Sequence, residues 1–260
     1  MTTFIQPMLA ANAAVYAIEN ATTEGKATVL VLLGLSLFSW TIILSKFWQL
    51  NIARKAAKKF FAAYASTRDP LDIKKRGEDF DGAPAYDLYE RGADELAYQL
   101  EKNPVTVKGE RRISPSSFEA VKVVLEEAAA TQAMALEKGM IVLSTAVAGG
   151  PFIGLLGTVW GVMSTFAGIA ASNSASLTAM APGVAAALVA TVTGLLVAIP
   201  AMFAYNFMVT SIRTITQELD GFASRYANQI EHAYVDNRDI EDKIAWALTR
   251  VEMGENTPAI

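Results

Sequence analysis

Two long apolar stretches without a charged residue organise this chain. The first, ATVLVLLGLSLFSWTIILS, occupies residues 27–45; the second runs from Gly139 to Ile212 and contains no Asp, Glu, Lys, Arg or His. A bilayer core of about 30 Å takes roughly 20 helical residues, so the first stretch predicts one membrane span and the second predicts two. The second stretch divides at ASNSAS, residues 171–176, its only cluster of small polar residues. Such a cluster predicts a short turn between antiparallel spans.

Between and after these stretches the spacing is helical. Breaks are predicted at Pro70, Gly82–Pro84 and Asn103–Pro104. A helix then starts where Ser114 caps with Pro115 in the first turn, or where Ser116 forms a capping box with Glu119. No breaker follows before Gly139, so this helix is expected to run straight into the second span. The third span is expected to continue past Arg213. There Ile212, Ile215, Leu219, Phe222 and Tyr226 recur at threes and fours, a seam for another helix and, at that length, for contacts between copies. A last short helix is predicted near 239–253, stopping at Gly254. No strand pattern of comparable strength occurs. The opening FIQPMLAANAAVYAI lacks a basic n-region, is short for a span and is interrupted by Gln6, Pro7 and Asn12. It reads as an amphipathic helix on the membrane surface, with a fourth span as the rival.

Charge sets the expected orientation. Lys46, Arg54, Lys55, Lys58 and Lys59 follow the first span, whereas Glu19, Glu24 and Lys26 precede it. The positive-inside rule then puts the N-terminus outside and the region after the span in the cytoplasm. Three spans return the C-terminus to the cytoplasm, where Arg213 and Arg225 agree. The predicted fold class is an all-α membrane protein, three transmembrane helices extended into a cytoplasmic helical bundle. Its segments are an outer amphipathic segment 1–26, span one 27–47, a cytoplasmic helical region 48–138, span two 139–170, an outer turn 171–177, span three with its extension 178–212, and C-terminal cytoplasmic helices 213–260.

Composition removes several function classes. With no cysteine there is neither a disulfide nor a thiolate metal site, and a net charge of −4 gives no sign of nucleic-acid binding. No phosphate-binding GxxxxGK[ST] loop is present, and His232 is the only histidine, in a charged segment where a surface position is expected. Nothing resembles a metal cluster or a nucleophile–base pair, so an enzyme, a resident cofactor and a metal are not expected. Proton and cation carriers usually place an ionisable group inside the membrane. These spans hold none, so if the protein moves ions the carboxylate must come from another chain.

What the spans do hold is glycine and threonine. On a helix, Gly150, Gly157 and Ser164 repeat at intervals of seven, as do Gly154, Gly161 and Gly168. Span three mirrors this stripe with Gly183, Ala187, Ala190, Gly194 and Ala201. Each interior glycine costs about 1 kcal/mol against alanine, and inside a bilayer close backbone approach is what repays it. Phe152, Leu155, Val159, Val162, Phe166 and Ile169 form the remaining face, free to meet lipid or span one. Thr158 and Thr165 lie beside the stripe, and Thr191 and Thr193 sit near the middle of span three. Each hydroxyl either bonds back to a carbonyl one turn earlier or lines a wet, ion-accessible path.

PFIGLLGTVWGVMSTFAGIA, the polar turn, and APGVAAALVATVTGLLVAIPAMFAYN resemble spans two and three of the ExbB/TolQ proteins in the MotA/TolQ/ExbB proton-channel superfamily. The likeness is dense from Gly149 to Asn206, with Pro151, Trp160, Pro182 and Pro200 among its motif positions. It implies a homopentamer in the bacterial inner membrane, N-terminus periplasmic, around an ExbD- or TolR-like single-span partner whose membrane aspartate binds the ion. It also implies that proton flow, or sodium flow, drives work on a TonB- or TolA-like periplasm-spanning protein. Thr158 and Thr191 match threonines that face the family's central pore. One position departs: the family's glutamate in PG-x-A-E-A-L is Ala186 here. The leading expectation is therefore an ion-driven motor subunit. The alternatives are a structural scaffold without ion coupling, a flagellar or gliding stator, and a small-solute channel.

Overall fold

The computed structural model describes residues 19, 21–107, 109–172, 177–236 and 238. The N-terminal surface helix, most of the 171–176 turn and the last short helix expected from sequence fall outside the described residues. The elements are helix α1 (Thr23–Tyr64), α2 (Asp72–Arg76), α3 (Pro84–Lys102), strands β1 (Val105–Val107) and β2 (Glu110–Arg112), then α4 (Pro115–Glu137), α5 (Met140–Ser172) and α6 (Leu177–Tyr234). Three of these helices, α1, α5 and α6, are long and apolar enough to cross a membrane. Among the described residues the protein is all-α apart from one small hairpin.

The chain divides into two compact units: Met1–Asn51 with Met134–Thr214, and Ile52–Ala133 with Ile215–Ile260. In the first, the span unit, many large side chains face outward. Leu30, Leu37, Phe152, Leu155, Val159, Phe166, Leu196 and Phe203 are all more than half exposed. Its interior is rich in small residues, Ala146, Ala187, Ala190, Ala198 and Ala201, alongside aliphatic ones such as Leu32, Leu143 and Met208. An exposed apolar surface of this extent fits lipid and not water.

The second unit is built the other way round. Phe60 from α1, Tyr89 from α3 and Phe222 and Tyr226 from α6 are nearly inaccessible. Their rings meet edge to face, stacked or tilted, Phe60 with Phe222 at 5.4 Å and 90°, Phe222 with Tyr226 at 5.8 Å and 3°, Tyr89 with Tyr226 at 5.1 Å and 39°. α3, α4 and α6 close together at Gly92, where an added Cβ would strike Leu125 and lie 3.1 Å from the Tyr226 ring. The seam expected to reach other copies is used within the chain. Ile215, Leu219, Phe222 and Tyr226 are at most 6% exposed.

Two further sequence expectations are corrected. α4 does not run straight into the second span: it ends at Glu137, Gly139 adopts a left-handed φ of 88°, and α5 begins at Met140. Only glycine takes that conformation cheaply. Strand structure also exists: Val105 pairs with Arg112, Thr106 with Arg111 and Val107 with Glu110, with Gly109 at φ 85° in the turn. The hairpin is anchored where the Ile113 N–H donates to the Tyr234 carbonyl at 2.8 Å and the Asp236 N–H to the Ile113 carbonyl at 3.0 Å. α4 starts as the first of the two capping options: the Ser117 N–H donates to Ser114 Oγ at 3.1 Å, with Pro115 in the first turn.

Candidate functional site

The site begins with glycine spacing. A Cβ added at Gly150 would lie 3.1 Å from the Gly194 carbonyl oxygen; one at Gly154 would lie 2.9 Å from the Ala190 oxygen and 3.0 Å from Thr191 Cα. At Gly157 and Gly161 it would come within 2.7 Å of Ala190 Cβ and Ala187 Cβ, and at Gly194 within 2.5 Å of the Gly150 oxygen. No side chain fits at such separations, so α5 and α6 touch through their backbones. Gly157 also receives span one, since its Cβ would meet Thr28 Cγ2 at 3.0 Å. At Gly183 it would strike Thr165 Oγ1. Gly168, by contrast, has nothing within 4 Å, so the structure does not bring it into the seam.

The close approach puts two threonines in contact. Thr158 Oγ1 and Thr191 Oγ1 share a short hydrogen bond across the seam. Thr158 also reaches the Ala187 carbonyl of the facing helix at 3.1 Å and its own Gly154 carbonyl at 3.3 Å, and Thr191 reaches that same Gly154 carbonyl at 3.2 Å. Two hydroxyl protons therefore face more acceptors than they can serve at once. The hydrogen-bond pattern can switch between arrangements without moving either helix. The pair can present oxygen to a cation or a donated proton, but it carries no group that ionises in the physiological range.

The other two predicted threonines are placed differently. Thr165 Oγ1 donates to the Gly161 carbonyl at 2.8 Å and Thr193 Oγ1 to the Val189 carbonyl at 2.8 Å, each one turn back on its own helix. Trp160 is 38% exposed, and Pro182 and Ala186 are half-buried. Pro151 lies inside α5, and Pro182 and Pro200 inside α6. His232 is exposed in the last turn of α6.

One residue in this unit escaped the sequence reading as a structural group. Lys46 is 6% exposed. Its Nζ donates to Gln49 Oε1 and to the Leu136 carbonyl, each at 2.8 Å. That carbonyl belongs to the last turn of α4, where backbone acceptors have no helical partner and a cation is favoured. Ile42, one turn earlier, packs 3.6 Å from the Cβ position of Gly139. Counted as one more positive charge after span one, Lys46 instead ties that span to the break before α5. Its only sequence signal is its place directly after the uncharged run.

Outside the spans, the electrostatics serve the second unit's fold. Burial pushes Asp69 upward, but the Leu71 N–H, Lys75 and the Tyr234 hydroxyl outweigh it and hold the carboxyl below its usual range. Burial pushes the Tyr89 hydroxyl up to about 12 and raises Tyr64, Tyr226 and Tyr234 as well.

A sequence model of the MotA/TolQ/ExbB proton channel family matches residues 96–221, which include the whole glycine seam and both paired threonines. The biopolymer transport protein ExbB of Pseudomonas putida is 33% identical over 197 residues, 75% of this chain and 56% of that protein. The Tol-Pal system protein TolQ of Pseudomonas aeruginosa is 31% identical over 190 residues, 73% of this chain and 80% of its own length. The chain belongs to the MotA/TolQ/ExbB family. ExbB of Neisseria meningitidis, 33% identical over 206 residues and covered to 86%, gives the same result.

Proposed function

We propose that this protein is a subunit of an ion-driven motor in the bacterial inner membrane, with its N-terminus periplasmic and its C-terminus cytoplasmic. Copies surround an ExbD- or TolR-like single-span partner, a pentamer in this reading. Protons pass between the partner's aspartate and the Thr158–Thr191 oxygens; sodium is the alternative ion. Each elementary charge crossing the membrane releases about 2.3 kcal/mol per 100 mV. That energy shifts a packed interface between two arrangements and so drives a TonB- or TolA-like protein spanning the periplasm. The single observation that carries the reading is the paired hydroxyls, held across an otherwise apolar seam in a member of a proton channel family. The chain's own spans carry no acid, so the aspartate is assigned to the partner.

The scaffold reading is favoured only for Thr165 and Thr193, whose hydroxyls are satisfied on their own helices. Co-expression with a neighbouring single-span, aspartate-bearing protein tests the assignment. The two are expected to purify together. Thr158→Val with Thr191→Val is expected to keep that complex while abolishing the growth that depends on energised transport or envelope maintenance. Purified protein that never contains such a partner contradicts the motor reading.

A further inference from the structure

Lys46 is buried within the fold, but the four cations that follow it on α1 are not. Arg54, Lys55, Lys58 and Lys59 are all exposed, and among the described residues none forms an ion pair. Elsewhere in the same unit Lys74, Lys75, Arg76, Lys102, Arg112 and Lys122 each reach a carboxylate. Arg68, Arg91, Arg111 and Arg225 do not, but among the described residues only on α1 do four such cations cluster within six residues. Between Glu24 and Asp69 the sequence contains no Asp or Glu, so the one acid on this helix, Glu24, stands 30 residues before Arg54, too far to offset the four charges. At about 100° per residue they fall within roughly 140° of one side of the helix. The other side carries Ala53 and Phe60, 4% and 0% exposed, into the core.

Spacings of three, four and seven continue this side back through Asn51, Trp48, Leu44 and Leu37. Trp48 is 76%, Leu44 65% and Leu37 72% exposed. An outward face that runs apolar, then aromatic, then purely basic is that of a helix leaving the hydrocarbon through the headgroup layer. Lys55 follows Trp48 by seven residues, about 10 Å along the axis. That lies close to one Debye length at physiological salt, and a lysine stem reaches back further still.

We propose that Arg54, Lys55, Lys58 and Lys59 bind the headgroups of anionic phospholipids. The phosphodiester oxygens supply the hydrogen-bond acceptors and the negative charge that the protein itself withholds from this face. The inference is independent of ion movement through the seam; it needs only the membrane placement of span one.

Native mass spectrometry of the full-length chain, released from detergent with equal amounts of phosphatidylglycerol and phosphatidylcholine, tests it. The unmodified protein is expected to retain phosphatidylglycerol at least fivefold over phosphatidylcholine. Arg54→Gln, Lys55→Gln, Lys58→Gln and Lys59→Gln together should reduce that preference below twofold, with the circular dichroism of the parent. Lys55→Gln with Lys58→Gln, a milder change, should at least halve it. A control that removes as many charges, Lys74→Gln, Lys75→Gln, Lys102→Gln and Lys122→Gln, should leave it intact. The proposal is overturned if the control loses the preference equally, or if the α1 variants keep it. It is equally overturned if the parent shows none, the outcome expected were this face to dock an acidic protein.

Discussion

The two units of this chain solve one packing problem with opposite materials. In the aromatic unit, rings fill the space between helices, Phe60 against Phe222 and Tyr89 against Tyr226. In the span unit the same job is done by the absence of side chains, Gly150 and Gly154 against Gly194. Water explains the first, since burying apolar area there gains about 25 cal/mol per Å². Lipid offers no such gain, so spans associate by close contact and by hydrogen bonds between helices. The Thr158–Thr191 bond belongs to this second economy. A polar pair that would be unremarkable in a wet interface becomes, among backbones in contact, part of the packing itself.

Adding bulk should damage the span unit most, and removing it the aromatic unit. Gly194→Val should force α5 and α6 apart, because even one Cβ would sit 2.5 Å from a backbone oxygen. The monodisperse yield in size-exclusion chromatography is expected to fall at least tenfold. Gly168→Val, in open space, should keep the parent yield; equal losses would refute the seam. In the aromatic unit the damaging change is removal of bulk. Tyr226→Ala should cost about 3–5 kcal/mol by leaving a cavity, read as a lowered unfolding temperature. Tyr226→Phe, losing only the bond to the Pro70 carbonyl, should cost about 1 kcal/mol.

Lys46→Met sharpens the boundary between the two chemistries. Its expected cost is about 1–2 kcal/mol, the scale of a charge-assisted bond at a helix end. Amide hydrogen exchange should accelerate around residues 136–142 while residues 150–161 stay protected. Uniform acceleration would mean that Lys46 is only a general core residue. The smallest effect is set by pH. Because the folded carboxyl of Asp69 titrates below its ordinary value, it stabilises above about pH 4 and that contribution is lost on further acidification. Asp69→Asn should flatten the fall in unfolding temperature between pH 5 and pH 3, conditions chosen around that value.

Much of this was legible in the residues. Uncharged length marked the spans, Ser114 with Pro115 marked the start of α4, and the sevenfold glycine spacing marked the face on which α5 closes. Ile212 to Tyr226 gave away a buried stripe but not its partner, because periodicity says that a face is covered and not by what. The hairpin was missed because its strands are three residues each and one of them reads Glu-Arg-Arg. The break at Gly139 was missed because a lone glycine inside helical spacing is also compatible with a continuous helix; only the left-handed φ decides. Lys46 and the Thr158–Thr191 contact depend on residues 90 and 33 positions apart, separations that no local pattern encodes. Gly168 shares the spacing of the stripe but not its contacts, since the repeat describes one helix and the seam needs two.

Ion flux through the reconstituted complex bears most directly on the central claim. The chain and the proposed aspartate-bearing partner, in liposomes loaded with a pH-sensitive dye, should conduct protons when a membrane potential is applied. Thr158→Val with Thr191→Val should cut that flux at least tenfold in a complex of unchanged size. Undiminished flux in the double variant, or equal flux from the chain alone, would mean that the Thr158–Thr191 pair and a partner acid do not carry the ion.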